Sequence, residues 1–262
     1  MHGLGGHFGL CTGEGEPHIR EMVGALINSG GIVLGGILGL VVKKPVSEAN
    51  QGRARILVGV FTVWFGLTMT LSNLSGSVGH FLKLLVLVLL AMVLGKMVGR
   101  LLRLQKLSNA AGQYATRMMN AAPPGTARFN EGFQVATALF CVAPLAILGS
   151  VTEGLNGSYS KVLCVKAVMD GLATMAFTRS FGWGAIMSAI PVLAWQGTII
   201  RATALLESPL QHQGAPLLDA INATDGLLTF SVALIVLQIR KVAVAEYLPS
   251  LALAPLLTKW LW

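Results

Sequence analysis

Four stretches of this chain run for about twenty residues or more with almost no formal charge. Residues 22–42, 56–82 and 181–200 contain none, and 132–159 hold only Glu153. A hydrocarbon core is about 30 Å thick and a helix rises about 1.5 Å per residue, so about 20 apolar residues cross it. Within lipid every backbone amide and carbonyl must find its partner inside the protein, which leaves helices or closed β-barrels. The runs are uniformly apolar and lack the alternation of a barrel strand. The chain therefore reads as an all-α, polytopic helical membrane protein. Its composition agrees, with 54% hydrophobic and 11% charged residues against roughly 25% charged in soluble domains.

Four further segments complete the pattern. Residues 81–98 carry Lys83 and Lys96 at their ends, where long stems return the ammonium groups to the headgroups. Residues 160–178 form a fifth span, 221–239 a seventh with Asp225 one turn inside its start, and 248–262 a short eighth interrupted by Pro255 and Lys259. About eight transmembrane helices are expected, seven plus a short C-terminal one. Residues 1–20 read as a flexible leader and 21–262 as a single transmembrane domain. That domain divides into a front three-helix part (21–102), an interfacial linker (103–130) and a back part (131–262). The linker begins with basic, amphipathic helix formers and is stopped by Pro123, Pro124 and Gly125.

The net charge of +8 is explained by topology. Lys43, Lys44, Arg53, Arg55, Arg100, Arg103, Lys106, Arg117, Arg128, Arg179, Arg240 and Lys241 are 12 of the 19 basic residues, and alternating spans place them all on one side. The positive-inside rule makes that side cytoplasmic and puts both termini outside. No nucleic-acid partner is implied; the expected partner is the bilayer. The leader has no basic n-region followed by an apolar h-region, so it is not a conventional signal peptide. Its His2, His7, Cys11 and His18 lack any periodicity that would pre-organise a metal. Cys11, Cys141 and Cys164 have no metal-type spacing. No metal or other cofactor is expected. A faint echo links residues 25–31 with 220–226, each preceding an apolar run that ends in a basic pair, and a repeat built on it would be parallel.

The span at 160–178 carries Lys166 and Asp170 in its interior, and Thr174 and Thr178 continue the four-residue spacing, so one helical face is polar. A charge at the centre of a membrane helix costs roughly 2.5–3.5 kcal/mol on insertion scales, so this face turns to water or to protein rather than to lipid. One reading is a structural ion pair that locks helix packing. Another is a transport route. A lysine one turn before the acid is the poorer order for a helical pair and sets the cation toward the positive end of the helix dipole. Stability alone favours the reverse order, which tilts the reading toward function.

The first span holds Gly31, Gly35 and Gly39 at four-residue spacing, and Gly95 and Gly99 repeat the device in the third. Such faces let helices touch backbone to backbone, within one subunit or between subunits, and a homo-oligomer is expected. Asn28, Ser29, Gly30 and Gly31 read as a possible break in the first span, and Pro144 and Pro191 as discontinuities in the fourth and sixth. Gln134, Thr137 and Cys141 share a face of the fourth span, and Ser188, Gln196 and Thr198 add polarity in the sixth, so these could line a route with the fifth-span stripe. No nucleophile elbow, zinc-protease helix or phosphate-binding glycine loop is present, and the carboxylates are scattered, so an enzyme is not expected.

GlyAlaLeuIleAsn at residues 24–28, opening onto a glycine-rich span, residues 140–157 (PheCysValAlaProLeuAlaIleLeuGlySerValThrGluGlyLeuAsnGly), LysAlaValMetAspGly at 166–171, TrpGlnGly at 195–197 and LeuProSerLeu at 248–251 together resemble the bacterial YqgA/YdfK family of inner-membrane proteins. The resemblance covers roughly residues 23–252. It implies a transport-like helical membrane fold in the bacterial inner membrane and supplies no substrate. Pro144 stands where that pattern has glycine, and Thr224 and Asp225 precede Gly226 where it has a glycine pair.

These features lead to an expected ion channel or slow transporter for small inorganic ions. Lys166, Asp170, Thr174, Asn28, Ser29, Gln196, Gln134 and Thr137 line or gate it. Lys166, Arg201 and the many hydroxyl and amide donors lean toward anions. The alternatives are a carrier for a small organic solute and a non-transporting membrane assembly or scaffold protein.

Overall fold

The computed structural model describes residues 22–42, 47–74, 76–121, 128–156, 160–212 and 215–261, and all its regular elements are helices. In chain order these are α1 (Val23–Val41), α2 (Glu48–Asn73), α3 (Val78–Leu101), α4 (Leu104–Asn120), α5 (Phe129–Val142), α6 (Pro144–Asn156) and α7 (Lys161–Phe181). A 3-10 segment (Gly182–Ser188) then leads to α8 (Ala189–His212), α9 (Ala215–Val236), α10 (Val244–Tyr247) and α11 (Ser250–Leu261). The leader, with its four candidate metal ligands, lies outside the described residues.

The polarity of the molecule is the reverse of a soluble protein. Leu34 and Val41 on α1, Ile56, Val60 and Trp64 on α2, and Val86, Val93 and Met97 on α3 are exposed, while Asn28, Glu153, Lys166, Gln196 and Asp225 are buried. Lipid accepts the first set and rejects the second. Five helical stretches are long and apolar enough to cross a membrane, and the pair α5–α6, bent by 56°, makes a sixth. The bend falls between Ala143 and Pro144, where the proline ring cannot continue the preceding ladder. The expected discontinuity at Pro144 is therefore present.

One of the five stretches is the 46-residue Lys161–Leu206, and its packing shows that it doubles back. Gly31 abuts Ala167 and Gly35 abuts Gly171, so α1 and α7 run parallel. Ser29 meets Ala189 and Asn28 meets Gln196, with Gly36 against Ile186, so α8 runs antiparallel to α1. The chain turns through Gly182, whose φ of 75° is a conformation glycine adopts without strain. Pro191 sits in the first turn of α8, where its missing N–H costs nothing, and makes no break of its own.

The remaining helices pack with alternating direction. Gly66 of α2 meets Gly226 and Phe230 of α9, and Asn73 meets Asn222, an antiparallel pair. Gly95 and Gly99 of α3 meet Ser250 of α11 and Glu246 of α10, again antiparallel. The Gln51 end of α2 lies beside Arg179 and Val236, and its Ser72 end beside Lys161 and Thr229, so α7 and α9, and with them α1, run in the same direction, the sense a parallel repeat would need. Three boundaries differ from the sequence reading. The second span begins at Glu48, capped by the Ser47 hydroxyl, so Arg53 and Arg55 lie in its first turns rather than in a loop. The seventh begins at Ala215 with Pro216 in its first turn, which places Asp225 at mid-helix rather than one turn from the start. The expected eighth span is α11, whose 12 residues reach about 18 Å, short of a hydrocarbon core.

The amphipathic linker helix forms as expected. Ala115 of α4 packs with Val135, Phe177 and Phe181, at the end of the bundle where α5 begins and α7 ends. That is also the end marked by Arg100, Arg128 and Arg179.

Candidate functional site

The site is built on a parallel contact between α1 and α7. Alanine-sized or larger residues would hold two helices about 8–10 Å apart; glycines let them approach closer. A methyl group at Gly31 would stand 2.6 Å from the Ala167 carbonyl oxygen, and one at Gly39 2.6 Å from that of Met175. The glycine face of α1 is thus consumed within the chain. Gly95 and Gly99 are consumed in the same way by α11 and α10, so neither face remains for the expected homo-oligomer.

This contact gathers most of the residues singled out in the sequence. The Lys166 ammonium pairs with the Asp170 carboxylate one turn later, and it lies 5.5 Å from the centroid of the Phe140 ring. Asn28 of α1 donates to the Gln196 side-chain oxygen of α8 at 3.2 Å, and its amide also reaches the Asp170 carboxylate. Ser29 donates to the Ala189 carbonyl at 3.3 Å, and Thr174 to the Asp170 carbonyl at 2.7 Å. Two atoms in this cluster have no partner, Asn28 Oδ1 and Gln196 Nε2. Each is one unmet hydrogen bond in an apolar surrounding, and such a group costs about 1–3 kcal/mol.

The stripe is closed. Lys166 is 1% exposed, and Asn28, Thr174 and Gln196 are 0% exposed. A cavity of about 360 Å³ does run along α7, but against its other face, where it is lined by Val168, Met169 and Leu172, with Arg55 and Arg179 at one end. The expected solvent-lined route along Lys166 and Asp170 is therefore absent from this structure; the stripe turns toward α1, α5 and α8. The expected break at Asn28–Gly31 is absent too, because α1 is continuous from Val23 to Val41. Gln134 does not join the cluster: it is exposed on the outside of α5. Thr137 is half-buried with its hydroxyl unpartnered.

Two buried carboxylates that the sequence reading left out of the site emerge. Glu153, at the end of α6, accepts from the Gly24 amide at 2.7 Å and from the Ser160 amide at 3.2 Å. Those amides stand at the N-terminal ends of α1 and α7, where unsatisfied donors and the helix dipoles favour an anion. One side chain thus fixes the starts of both helices of the parallel pair. Asp225 of α9 is the second, 1% exposed, with both carboxylate oxygens unpartnered. A sequence signal for it existed: Asp170-Gly171-Leu172-Ala173-Thr174 and Asp225-Gly226-Leu227-Leu228-Thr229 share the pattern Asp-Gly-Leu-x-Thr. In both copies the glycine touches a neighbouring backbone: a methyl at Gly171 would lie 2.8 Å from the Gly31 carbonyl oxygen, and one at Gly226 2.8 Å from that of Gly66.

Comparison with known proteins agrees with this architecture. The chain is 27% identical over 234 residues to the uncharacterized membrane protein YdfK of Bacillus subtilis (strain 168), covering 89% of this chain and 94% of that protein. It is also 27% identical over 244 residues to the uncharacterized protein YqgA of Escherichia coli (strain K12), covering 91% of this chain and 97% of the relative. No solved structure matches. Residues 23–259 match the family described as "Protein of unknown function (DUF554)". This membrane protein therefore belongs to the DUF554 family.

Proposed function

We propose that the protein is a slow, gated transporter of small ions, and that the junction of α1, α7 and α8 around Lys166 and Asp170 is its closed gate. The observation that carries this reading is a buried ion pair at mid-helix next to two unmet amide atoms, Asn28 Oδ1 and Gln196 Nε2. Packing alone is served better by apolar side chains, since a buried pair is often no more stable than its hydrophobic replacement. Closure of the stripe supports a gated or alternating-access carrier over a standing pore. The nearby bend at Pro144 and the 3-10 reversal before α8 are the kind of discontinuity about which transporter helices move.

Charge bookkeeping turns the earlier lean from anions to cations. Lys166 is neutralised by Asp170, so it offers no surplus positive charge, whereas Asp225 is an unpartnered acid at the same depth in its helix. The test is flux: full-length protein in liposomes should pass a monovalent cation or protons, with the rate lost on Asp170→Asn. Chloride flux that Lys166→Ala abolishes, with no cation flux, would restore the anion reading, and no flux of any common ion would remove transport altogether.

A scaffold reading keeps one observation in its favour, the mutual satisfaction of Lys166 and Asp170. It expects any variant that preserves packing to preserve function.

A further inference from the structure

The unpartnered acid on α9 lies outside the Lys166 cluster and has a setting of its own. Asp225 is buried with neither carboxylate oxygen bonded. One turn further along the same face is Thr229, 3% exposed, whose hydroxyl also has no partner. From α6, the Thr152 side chain lies against the Asp225 carboxylate. Its hydroxyl also lies 2.8 Å from the Leu148 carbonyl, and the same oxygen faces the acid. Three oxygen-bearing groups thus converge with no positive group among them. Left as an isolated anion this arrangement is costly in an apolar interior, and a bound cation removes the cost.

The same two hydroxyls open onto space. A cavity of about 220 Å³ between α2, α6, α7 and α9 is lined by Thr152 and Thr229, with Thr68, Ser72 and Asn156 adding polar walls. Among the described residues of that wall, the cation Lys161 is turned to an aromatic surface, its ammonium 5.3 Å from the Phe65 ring centroid. Glu153, next in sequence to Thr152, is occupied by the Gly24 and Ser160 amides. The cavity lies at the start of α7, the end of the bundle opposite Arg55 and Arg179.

We infer that Asp225, Thr229 and Thr152 form a binding site for one small monovalent metal cation, entered from the cavity between α2, α6, α7 and α9. The chemistry sets the class: hard oxygen ligands suit alkali cations, and a single carboxylate balances one positive charge, whereas protein sites for divalent ions draw on more carboxylates. Binding stands on this geometry alone; that the ion is the transported or coupling species rests on the transport reading above.

The test uses purified full-length protein in detergent, with thermal unfolding followed against NaCl, KCl and LiCl at an ionic strength held constant with choline chloride. A bound cation raises Tm saturably. One of the three metal salts should do so in the wild type. Asp225→Asn should abolish the rise, and Thr229→Val should raise the half-saturating concentration on the order of tenfold, the scale on which a supporting group acts at a metal site. No saturable rise with any of the three salts overturns the inference, as does an undiminished rise in Asp225→Asn. If Asp225→Asn does not fold, an unchanged half-saturating concentration in Thr229→Val overturns it. Cation stabilisation with no ion flux in liposomes leaves this site standing and removes only the transport reading.

Discussion

Removing either charge of the Lys166–Asp170 pair, and then both, separates a buried pair from a hydrated one. The two side chains are 2% and 9% exposed, so the partner left behind stays in the apolar interior. Lys166→Met leaves Asp170 with the Asn28 amide as a remaining donor, so the cost sits near the lower end of the range for a broken buried pair, about 3 kcal/mol. Asp170→Leu leaves the ammonium with no acceptor but the Phe140 ring, worth about 0.5–2 kcal/mol, so the cost approaches about 5 kcal/mol. The double variant Lys166→Met/Asp170→Leu strands no charge and should lie within about 1 kcal/mol of wild type, which makes the coupling energy about 7 kcal/mol. Equilibrium unfolding in mixed micelles, titrated with SDS, gives all four corners of the cycle. Single variants that each cost under about 1 kcal/mol and add simply would refute the reasoning, because that is how an exposed pair behaves. Flux measured on the same four proteins then divides the functional readings: the transporter loses flux in the double variant despite restored stability, and the scaffold loses nothing.

The other predictions concern what holds the pair in place. Gly31→Leu forces a branched side chain onto the Ala167 carbonyl, where even a methyl would be 2.6 Å away, and should lower stability by more than the usual 1–3 kcal/mol of overpacking, seen as a reduced folded fraction in detergent. Glu153→Ala strips the acceptor from the Gly24 and Ser160 amides; two hydrogen bonds to a charged group are worth about 3–6 kcal/mol together, and hydrogen exchange at the starts of α1 and α7 should rise with little change in α3. Gln134→Ala, by contrast, alters an exposed side chain and should leave both stability and flux within error of the wild type.

Much of the helical framework was legible because lipid makes sequence patterns blunt: an apolar run of sufficient length has few other solutions. The polar stripe on α7 was legible for the same reason, since four-residue spacing fixes a face whatever surrounds it. What covers that face was not. Glycine spacing says that a close partner exists, yet nothing local says that Gly31 and Gly35 meet Ala167 and Gly171 rather than a second subunit. Glu153 was missed because its role depends on Gly24, 129 residues away. Asp225 was set too near its helix start because the apolar run begins later than the helix, which Pro216 initiates. Gln134 falls outside the cluster because sharing a face with Cys141 does not decide which way the face turns, and its side chain is exposed.

The central claim is that the closed junction around Lys166 opens to water in the working protein. Thr174→Cys, in a background with Cys11, Cys141 and Cys164 replaced by serine or alanine, reports on this directly when reconstituted protein is exposed to a membrane-impermeant thiol reagent. Slow but complete labelling in intact liposomes, accelerated under an ion gradient, is the predicted result. A thiol that stays unlabelled under every gradient, while the SDS-unfolded protein labels fully, contradicts the account and makes the pair a packing device.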